Sequence, residues 1–342
     1  MSNPFVTVFI PVYNSEQYIS ETIDSILNQT YKNLEVLIVD DGSTDRSIEI
    51  IQQYQDQRIR LTQNEKNMGI PYTRNVGLQQ ARGDYIAIMD VDDIACSNRI
   101  ERQVAYLENN KGIDAVGSFY YKFGEGAEKE ITTPFTAPEQ LKMMLLFYNP
   151  IANPSVTIRK KTFQEHNLTY HLDFFVAQDY QMWSQLIKVG NITILPEFLI
   201  YYRFGHENIS KKSNLEKAKK RKQLIDRIHN DLIDFYQIPL TVEEKQTFNN
   251  FFTESYGSRV ESLEQLKTVI AKIKNWNLEQ RVFNHNNFLK VLDYCILLGI
   301  NHQGLTAREK LAIYNSTMSQ RTGKDRINIL TRHYYYKLKK II

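Results

Sequence analysis

An α/β fold, with a mostly parallel sheet flanked by helices and then an α-helical C-terminal region, is what this 342-residue sequence predicts. Two observations predict it. Up to about Arg203, short apolar runs alternate with segments of helical period, the signature of βαβ units. Beyond Ser210 strand signals fade, and Lys, Glu, Gln and Leu recur at helical spacing. A boundary is expected near Lys211–Ser213, so that residues 1–210 form one domain and residues 211–342 the helical region.

Val6-Thr7-Val8-Phe9-Ile10 reads as a buried strand ended by Pro11. Ser15 to Asn28 carries Ile19, Ile23, Ile26 and Leu27 as a helical stripe. Leu34 to Val39 is a second strand, stopped by Asp40-Asp41-Gly42-Ser43. A helix from about Asp45 to Tyr54, a short strand at Arg58 to Thr62, a helix over Tyr72 to Gln80 and a buried strand at Tyr85 to Met89 follow. Crossovers between such parallel strands are right-handed. Asn214 to Tyr236, Leu263 to Ile273 and Phe288 to Leu298 are the helices expected later.

Composition narrows the class. Hydrophobic residues at 42% and charged residues at 24% suit a globular core, and a net charge of +3 does not suggest a nucleic-acid protein. Cys96 and Cys295 are too far apart for a metal motif, which fits a reducing cytoplasm. Met1-Ser2-Asn3-Pro4 runs into the first strand, so no secretory signal is expected, and no window is apolar enough to span a bilayer. Any membrane association is expected to be peripheral. A dinucleotide-dependent oxidoreductase would need Gly-x-Gly-x-x-Gly after the first strand, which is absent. A nucleotidyltransferase would need a Gly-rich basic loop, which Pro11-Val12-Tyr13-Asn14 is not.

In an open parallel sheet, ligands bind beyond the carboxyl ends of the strands. Here those ends read Pro11-Val12-Tyr13-Asn14, Asp40-Asp41-Gly42-Ser43-Thr44-Asp45 and Asp90-Val91-Asp92-Asp93. Acids gathered at one point repel one another unless a cation sits among them, and oxygen ligands favour Mg²⁺ or Mn²⁺. Asp90 and Asp92, two apart on an extended segment, point the same way and can hold such a metal. Taken singly, Asp90-Val91-Asp92 is also an ordinary solvated turn, and Ser43 or Thr44 an ordinary helix N-cap. Their succession after apolar strands within one hundred residues is what favours a site.

Further motifs join these: Ser25-Ile26-Leu27-Asn28-Gln29-Thr30-Tyr31, Val39 with the acids after it, Asn67-Met68-Gly69, and Arg74-Asn75-Val76-Gly77. Together and in this order they resemble the family 2 glycosyltransferases, whose fold is GT-A, Rossmann-like, over roughly residues 5–210. The resemblance implies an inverting, metal-dependent transfer of a sugar from a UDP-sugar. It places Pro11, Tyr13 and Asn14 around the uracil, with Asp41 as its hydrogen-bond partner and Arg74 as a basic residue near the nucleotide. It also implies that Asp90 and Asp92 are metal and ribose-phosphate acids, with Asp93 beside them at the metal or sugar. Val176-Ala177-Gln178-Asp179-Tyr180-Gln181-Met182-Trp183 resembles the family's Glu-Asp-Tyr-x-x-Trp stretch, which makes Asp179 the catalytic base and Gln178 a departure from the usual Glu. Such a base deprotonates the acceptor hydroxyl; Asp179 read bare is also a helix-start acid. Gln178, Tyr180 and Trp183 are candidate acceptor contacts, and Trp183, Tyr180 and Phe147 candidate stacking platforms, although aromatics more often pack a core.

A narrower resemblance is to bacterial lipooligosaccharide and capsule transferases that attach β1,3-linked N-acetylhexosamine to a galactose-containing acceptor. Phe147-Tyr148-Asn149-Pro150-Ile151 and Pro196-Glu197-Phe198-Leu199-Ile200-Tyr201-Tyr202-Arg203 carry it. Those enzymes have His after Asn-Pro-Ile, where this chain has Ala152, and Tyr-Arg-x-His, where Tyr202-Arg203-Phe204-Gly205-His206 moves the imidazole on by one. His206 is thus either a metal or diphosphate contact or a surface residue. UDP-galactose and UDP-glucose stand as other donors, and a non-catalytic saccharide-binding or nucleotide-binding protein as another class. The basic and aromatic tail Arg332 to Lys340 suits an anionic membrane surface, where lipid-linked acceptors reside, or a docked terminal helix. The expected location is therefore cytoplasmic or peripheral on the inner face of the membrane.

Overall fold

The computed structural model describes residues 3–124, 126, 128–205, 215–253, 262–302 and 305–320, the side chains of 215–217 and 302 excepted. The chain divides into two compact units, residues 1–138 with 150–212 and residues 139–149 with 213–342.

The first unit is built on β1 (Val6–Val12), β2 (Leu34–Asp40), β3 (Ile59–Gln63) and β4 (Tyr85–Ile88), all parallel, in the order β3-β2-β1-β4. β1 is buried along its whole length and hydrogen-bonded on both edges, which explains a run that is apolar but for Thr7. Between these strands run α1 (Ile19–Leu27), α2 (Ser47–Gln52) and α3 (Ile70–Gln80). Ile19, Ile23 and Ile26 of α1 are fully buried, each worth about 1.5–3 kcal/mol of transfer free energy. α3 lies close on β1 because Gly77 carries no side chain: a Cβ there would stand 2.3 Å from the Phe9 ring.

Beyond β4 the sheet is mixed. β5 (Ile94–Ala95), α4 (Arg99–Asn109), β6 (Ala115–Gly124), β7 (Lys129–Ile131), β8 (Thr157–Arg159), α6 (Lys160–His166), α7 (Gln178–Val189) and β9 (Ile192–Phe204) complete the unit, α5 (Pro138–Met144) intervening in the chain. The order continues β4-β8-β6-β9-β5, with β7 beside β6. β8 is antiparallel to both β4 and β6, and β5 to β9, whereas β6 and β9 are parallel. The mostly parallel expectation thus holds for β3-β2-β1-β4 and for β6 with β9, while the pairings made by β5, β7 and β8 are antiparallel. Apolar patterning reports which face of a strand is buried; its direction is decided by the connections.

The second unit is helical in its described residues: α8 (Leu215–Phe235), α9 (Val242–Phe252), α10 (Leu263–Gln280), α11 (His285–His302) and α12 (Ala307–Thr317). Thr241 with Glu244 and Thr306 with Glu309 close capping boxes at α9 and α12. Residues 139–149 belong to this unit. Phe147 packs against Phe248 and Phe252, with ring centroids 5.6 and 4.8 Å away, and its carbonyl meets the buried His229 Nε2 at 3.1 Å. Phe147 is 1% exposed, so the stacking platform expected of it gives way to core packing. No helix among the described residues is long and apolar enough to cross a membrane.

Candidate active site

Because β1 lies between β2 and β4, the loops after these three strands share one end of the sheet. The first two are laced together. Asn14, at a left-handed φ of 46°, accepts the Thr44 N–H on its Oδ1 at 2.8 Å, while its own N–H donates to Ser43 Oγ at 2.9 Å. Ser15 and Glu16 donate their N–H groups to Ser47 Oγ and Asp45 Oδ2. Pro11 is buried at the end of β1, and Tyr13 stands 46% exposed. Asn14 therefore spends its amide oxygen on the neighbouring loop, and Tyr13 is left as the open aromatic face.

Asp40 and Asp41 divide their work. Asp40 accepts the N–H groups of Gly42 and Ser43, closing the turn. Asp41, 4% exposed, accepts Asn64 Nδ2 at 2.8 Å, Met68 N–H at 2.9 Å and Gly69 N–H at 2.8 Å. It thereby fixes the entry to α3, whose first turn begins after Gly69. Gly42 must be glycine here: at φ 73°, a Cβ would lie 2.7 Å from the Lys66 carbonyl carbon.

The third loop holds Asp90, Asp92 and Asp93. Asp93 turns inward, 1% exposed; its Oδ1 accepts the Arg203 N–H at 2.8 Å, and its buried Oδ2 has no hydrogen-bond partner among the described residues. Burial first, then the charges of Asp92 and Asp90, push its carboxyl well above the usual carboxylate range. Asp90 and Asp92 remain half-buried. Thr22 of α1 clamps the same loop by donating its hydroxyl to the carbonyls of Val91 and Asp93 at 2.7 and 2.9 Å. Arg203 on β9 donates its Nε–H to the Asp92 carbonyl and pairs with Glu21.

Arg74 projects from α3 toward these acids and not toward the 13–16 loop. Its Nη2 donates to Asp90 Oδ1 at 3.0 Å, and its guanidinium carbon lies 5.4 Å over the Tyr170 ring. Although burial disfavours its charge, Asp90, Tyr170 and Asp179 raise its basicity, so it stays a cation. Tyr170 is itself buried, its phenol pushed up to about 12 by burial against the pull of Arg74. Adjacent Asn75 exchanges two hydrogen bonds with the Tyr170 backbone at 2.8 and 2.9 Å. Asp179 lies in the first turn of α7, and its charge is felt at Arg74, Tyr170 and Tyr202. Asp90 and Asp179, far apart in sequence, thus both act electrostatically on one arginine–tyrosine pair, Asp90 by direct contact.

The aromatic acceptor contacts fare differently. Tyr180 and Trp183 are 5% and 0% exposed, so neither offers a free ring face to a sugar; helical spacing turns both from the surface. Gln178 is half-buried at the start of α7. His206 lies outside the described residues, as does the 332–340 tail.

Among the described residues no group of three or more acids, histidines or cysteines is arranged to hold a metal ion by itself. Asp90 and Asp92 nevertheless fit the lesser demand of a cation shared with a substrate diphosphate, which takes one or two carboxylates and leaves the other positions to phosphate and water. Arg99 and Tyr170 were not legible as site residues. Arg99 is fully buried at the start of α4 and donates to the Ile88 carbonyl at 2.8 Å and to Gln103 Oε1 at 3.1 Å, bracing the strand end before Asp90. Its only signal in sequence is a glutamine one helical turn later.

The model of glycosyl transferase family 2 matches residues 7–177, the segment that carries the three loops and Arg74. This chain belongs to glycosyl transferase family 2. As a glycosyltransferase it is 36% identical over 232 residues to an uncharacterized glycosyltransferase of Haemophilus influenzae, covering 65% of this chain and 72% of that protein. Over 240 residues it is 29% identical to the Escherichia coli UDP-Glc:alpha-D-GlcNAc-diphosphoundecaprenol beta-1,3-glucosyltransferase WfgD, covering 70% of this chain and 92% of the relative. The solved structure of S. aureus TarS 1-349 in complex with UDP-GlcNAc superposes with a TM-score of 0.59 over 98% of this chain and 92% of that one. At 19% identity, that likeness is one of fold, the GT-A fold with a helical C-terminal region.

Proposed function

We propose that this glycosyltransferase moves a sugar from a UDP-sugar to a hydroxyl of a saccharide acceptor, with inversion, and that Asp179 is the base. The observation that supports the reading is the ion pair of Arg74 with Asp90 over the Tyr170 ring, with the charge of Asp179 also acting on Arg74 and Tyr170. On this reading Asp90 is the donor-end acid and Asp179 the base. Tyr13 offers an open ring to the uracil, and Asp41 holds the loop beside it. Asp179 takes the acceptor proton as the oxygen attacks the anomeric carbon; the bond from that carbon to the diphosphate breaks, and its electron pair leaves with UDP. No side-chain nucleophile is needed. Asp90 and Asp92 would hold Mn²⁺ or Mg²⁺, which neutralises charge on the leaving diphosphate.

The leading donor is a UDP-N-acetylhexosamine, transferred in β1,3 linkage to a galactose-containing acceptor of a surface glycan, lipooligosaccharide or capsule. WfgD favours a second reading, UDP-glucose and a lipid-linked acceptor met at the inner face of the membrane. A donor panel tests both: full-length protein, Mn²⁺, a lactose acceptor or a diphosphoundecaprenol-linked N-acetylglucosamine, and each UDP-sugar in turn, with UDP release followed with and without chelator. Chelator-sensitive, acceptor-dependent release from one donor supports the reading. Metal-dependent UDP binding with no release across donors and acceptors points to a non-catalytic protein. Asp92→Ala is expected to weaken metal-dependent UDP binding by at least tenfold, and an unaltered affinity removes Asp92 from the metal site.

A further inference from the structure

The transfer chemistry proposed above leaves Arg203, at the end of β9, without a role. Its backbone N–H donates to Asp93 Oδ1 at 2.8 Å, and its Nε–H to the Asp92 carbonyl, also at 2.8 Å. Its Nη2 pairs with Glu21 of α1. The guanidinium carbon lies 5.0 Å from the centre of the Tyr18 ring and 4.5 Å from that of Phe123, both within reach of a cation–π contact. Although charged, the side chain is only 17% exposed. Arg203 is thus fixed by neighbours on α1 and β6, and in turn grips the 90–93 loop.

What that grip fixes follows from the planarity of the peptide bond. The direction in which Asp92 projects its side chain depends on the two peptide planes that meet at its Cα. The plane before it is held by Thr22, whose hydroxyl donates to the Val91 carbonyl at 2.7 Å. The plane after it carries the Asp92 carbonyl, held by Arg203, and the Asp93 N–H, whose bond to the Asp90 carbonyl is long at 3.3 Å. Arg203 is therefore the stronger hold on that second plane. Arg74 meets Asp90 in another way, through a carboxylate oxygen. Arg203 takes a carbonyl, so its contact uses neither carboxylate oxygen of Asp92.

We propose, resting on the reading of Asp92 as a metal-holding acid, that Arg203 is a positioning residue for the cation site. By fixing the peptide between Asp92 and Asp93, it sets the direction of the carboxylate that the cation would meet. The grip belongs to the guanidinium fork and not to its charge alone. Nε serves the loop while Nη2 serves Glu21, and a lysine ammonium, one nitrogen on a flexible stem, does not reproduce both directions. Partners that orient a metal-holding side chain are typically worth about 10–100-fold in metal affinity.

UDP is titrated by calorimetry into the full-length protein and its Arg203→Lys, Arg203→Gln and Asp92→Ala variants, with Mn²⁺ and again with chelator, and each melting temperature is recorded. Both Arg203 variants leave the backbone bond to Asp93 in place, so they read the side chain's hold on Asp92. Arg203→Lys keeps the charge and the stem, and it decides the matter if Arg203→Gln does not fold. The expected result is a loss of about 10-fold in UDP affinity with Mn²⁺ for the Arg203 variants, and affinity within twofold of the parent with chelator. Affinity within twofold of the parent in Mn²⁺, beside a weakened Asp92→Ala, overturns the role of Arg203 and leaves the metal reading standing. An equal loss with and without Mn²⁺ makes Arg203 a structural residue and also overturns it. Asp92→Ala binding as tightly as the parent removes Asp92 from the metal, and the role of Arg203 falls with it.

Discussion

Replacing Asp41 with asparagine tests how the loop that enters α3 is held. The carboxylate accepts from Asn64 Nδ2 and Met68 N–H on one oxygen and from Gly69 N–H on the other. The substituted amide can keep the oxygen that serves Asn64 and Met68, but it turns an NH₂ group against the Gly69 N–H. One hydrogen bond to a charged acceptor, worth about 1.5–3 kcal/mol, is lost, and the other two lose their charge assistance. The sum is about 3 kcal/mol. For a unit of this size each kcal/mol lowers Tm by about 2–4 °C, so Asp41→Asn is expected to lower it by about 6–12 °C. Asn64→Ala keeps the charge and both backbone donors, and should cost only about 1 kcal/mol. Scanning calorimetry measures both, and a UDP titration at a temperature where each variant is folded measures the consequence for binding. Asp41→Asn melting within about 2 °C of the parent would show that the 64–69 loop is held by something else.

Asp179→Asn should reduce transfer by about a thousandfold, within the usual range of general-base contributions, while UDP affinity stays within twofold; unchanged turnover removes Asp179 from the chemistry. Gly77→Ala drives a Cβ into the Phe9 ring and should destabilise by about 1–3 kcal/mol in urea unfolding, with Phe9→Leu restoring part of the loss. Failure of that rescue would place the strain elsewhere. His229 carries a pH prediction. Burial lowers its pKa from 6.5 to about 4, so the unfolded chain binds more protons between those values. Stability of the second unit is then complete above pH 6.5 and declines by about 3 kcal/mol as pH falls through 4. His229→Gln should flatten this dependence, and an unchanged slope would assign it to other groups.

The loops at the ends of β1, β2 and β4 could be foreseen because each follows an apolar run that only a doubly buried strand explains, and parallel strands deliver their carboxyl ends to one side. That logic made Asp41, Asp90 and Asp92 candidates before any coordinates. It does not extend to Asp93, which carries the same residue type one position later yet faces Arg203 in the interior. Nor does it extend to Tyr180 and Trp183, whose aromatic character serves a surface platform and a buried wall equally well.

Local pattern by itself determined the alternation of strand and helix, the shift to helices after residue 210 and the acids that end the strands. These depend on neighbours a few positions apart, and periodicity records them. Only the tertiary structure decided that β8 runs against β4, that residues 139–149 join the second unit, and that Arg74 meets Asp90 and Tyr170. Each of these joins residues brought together by the path of the chain, as the Asn75 side chain ties α3 to the backbone of Tyr170, 95 positions away.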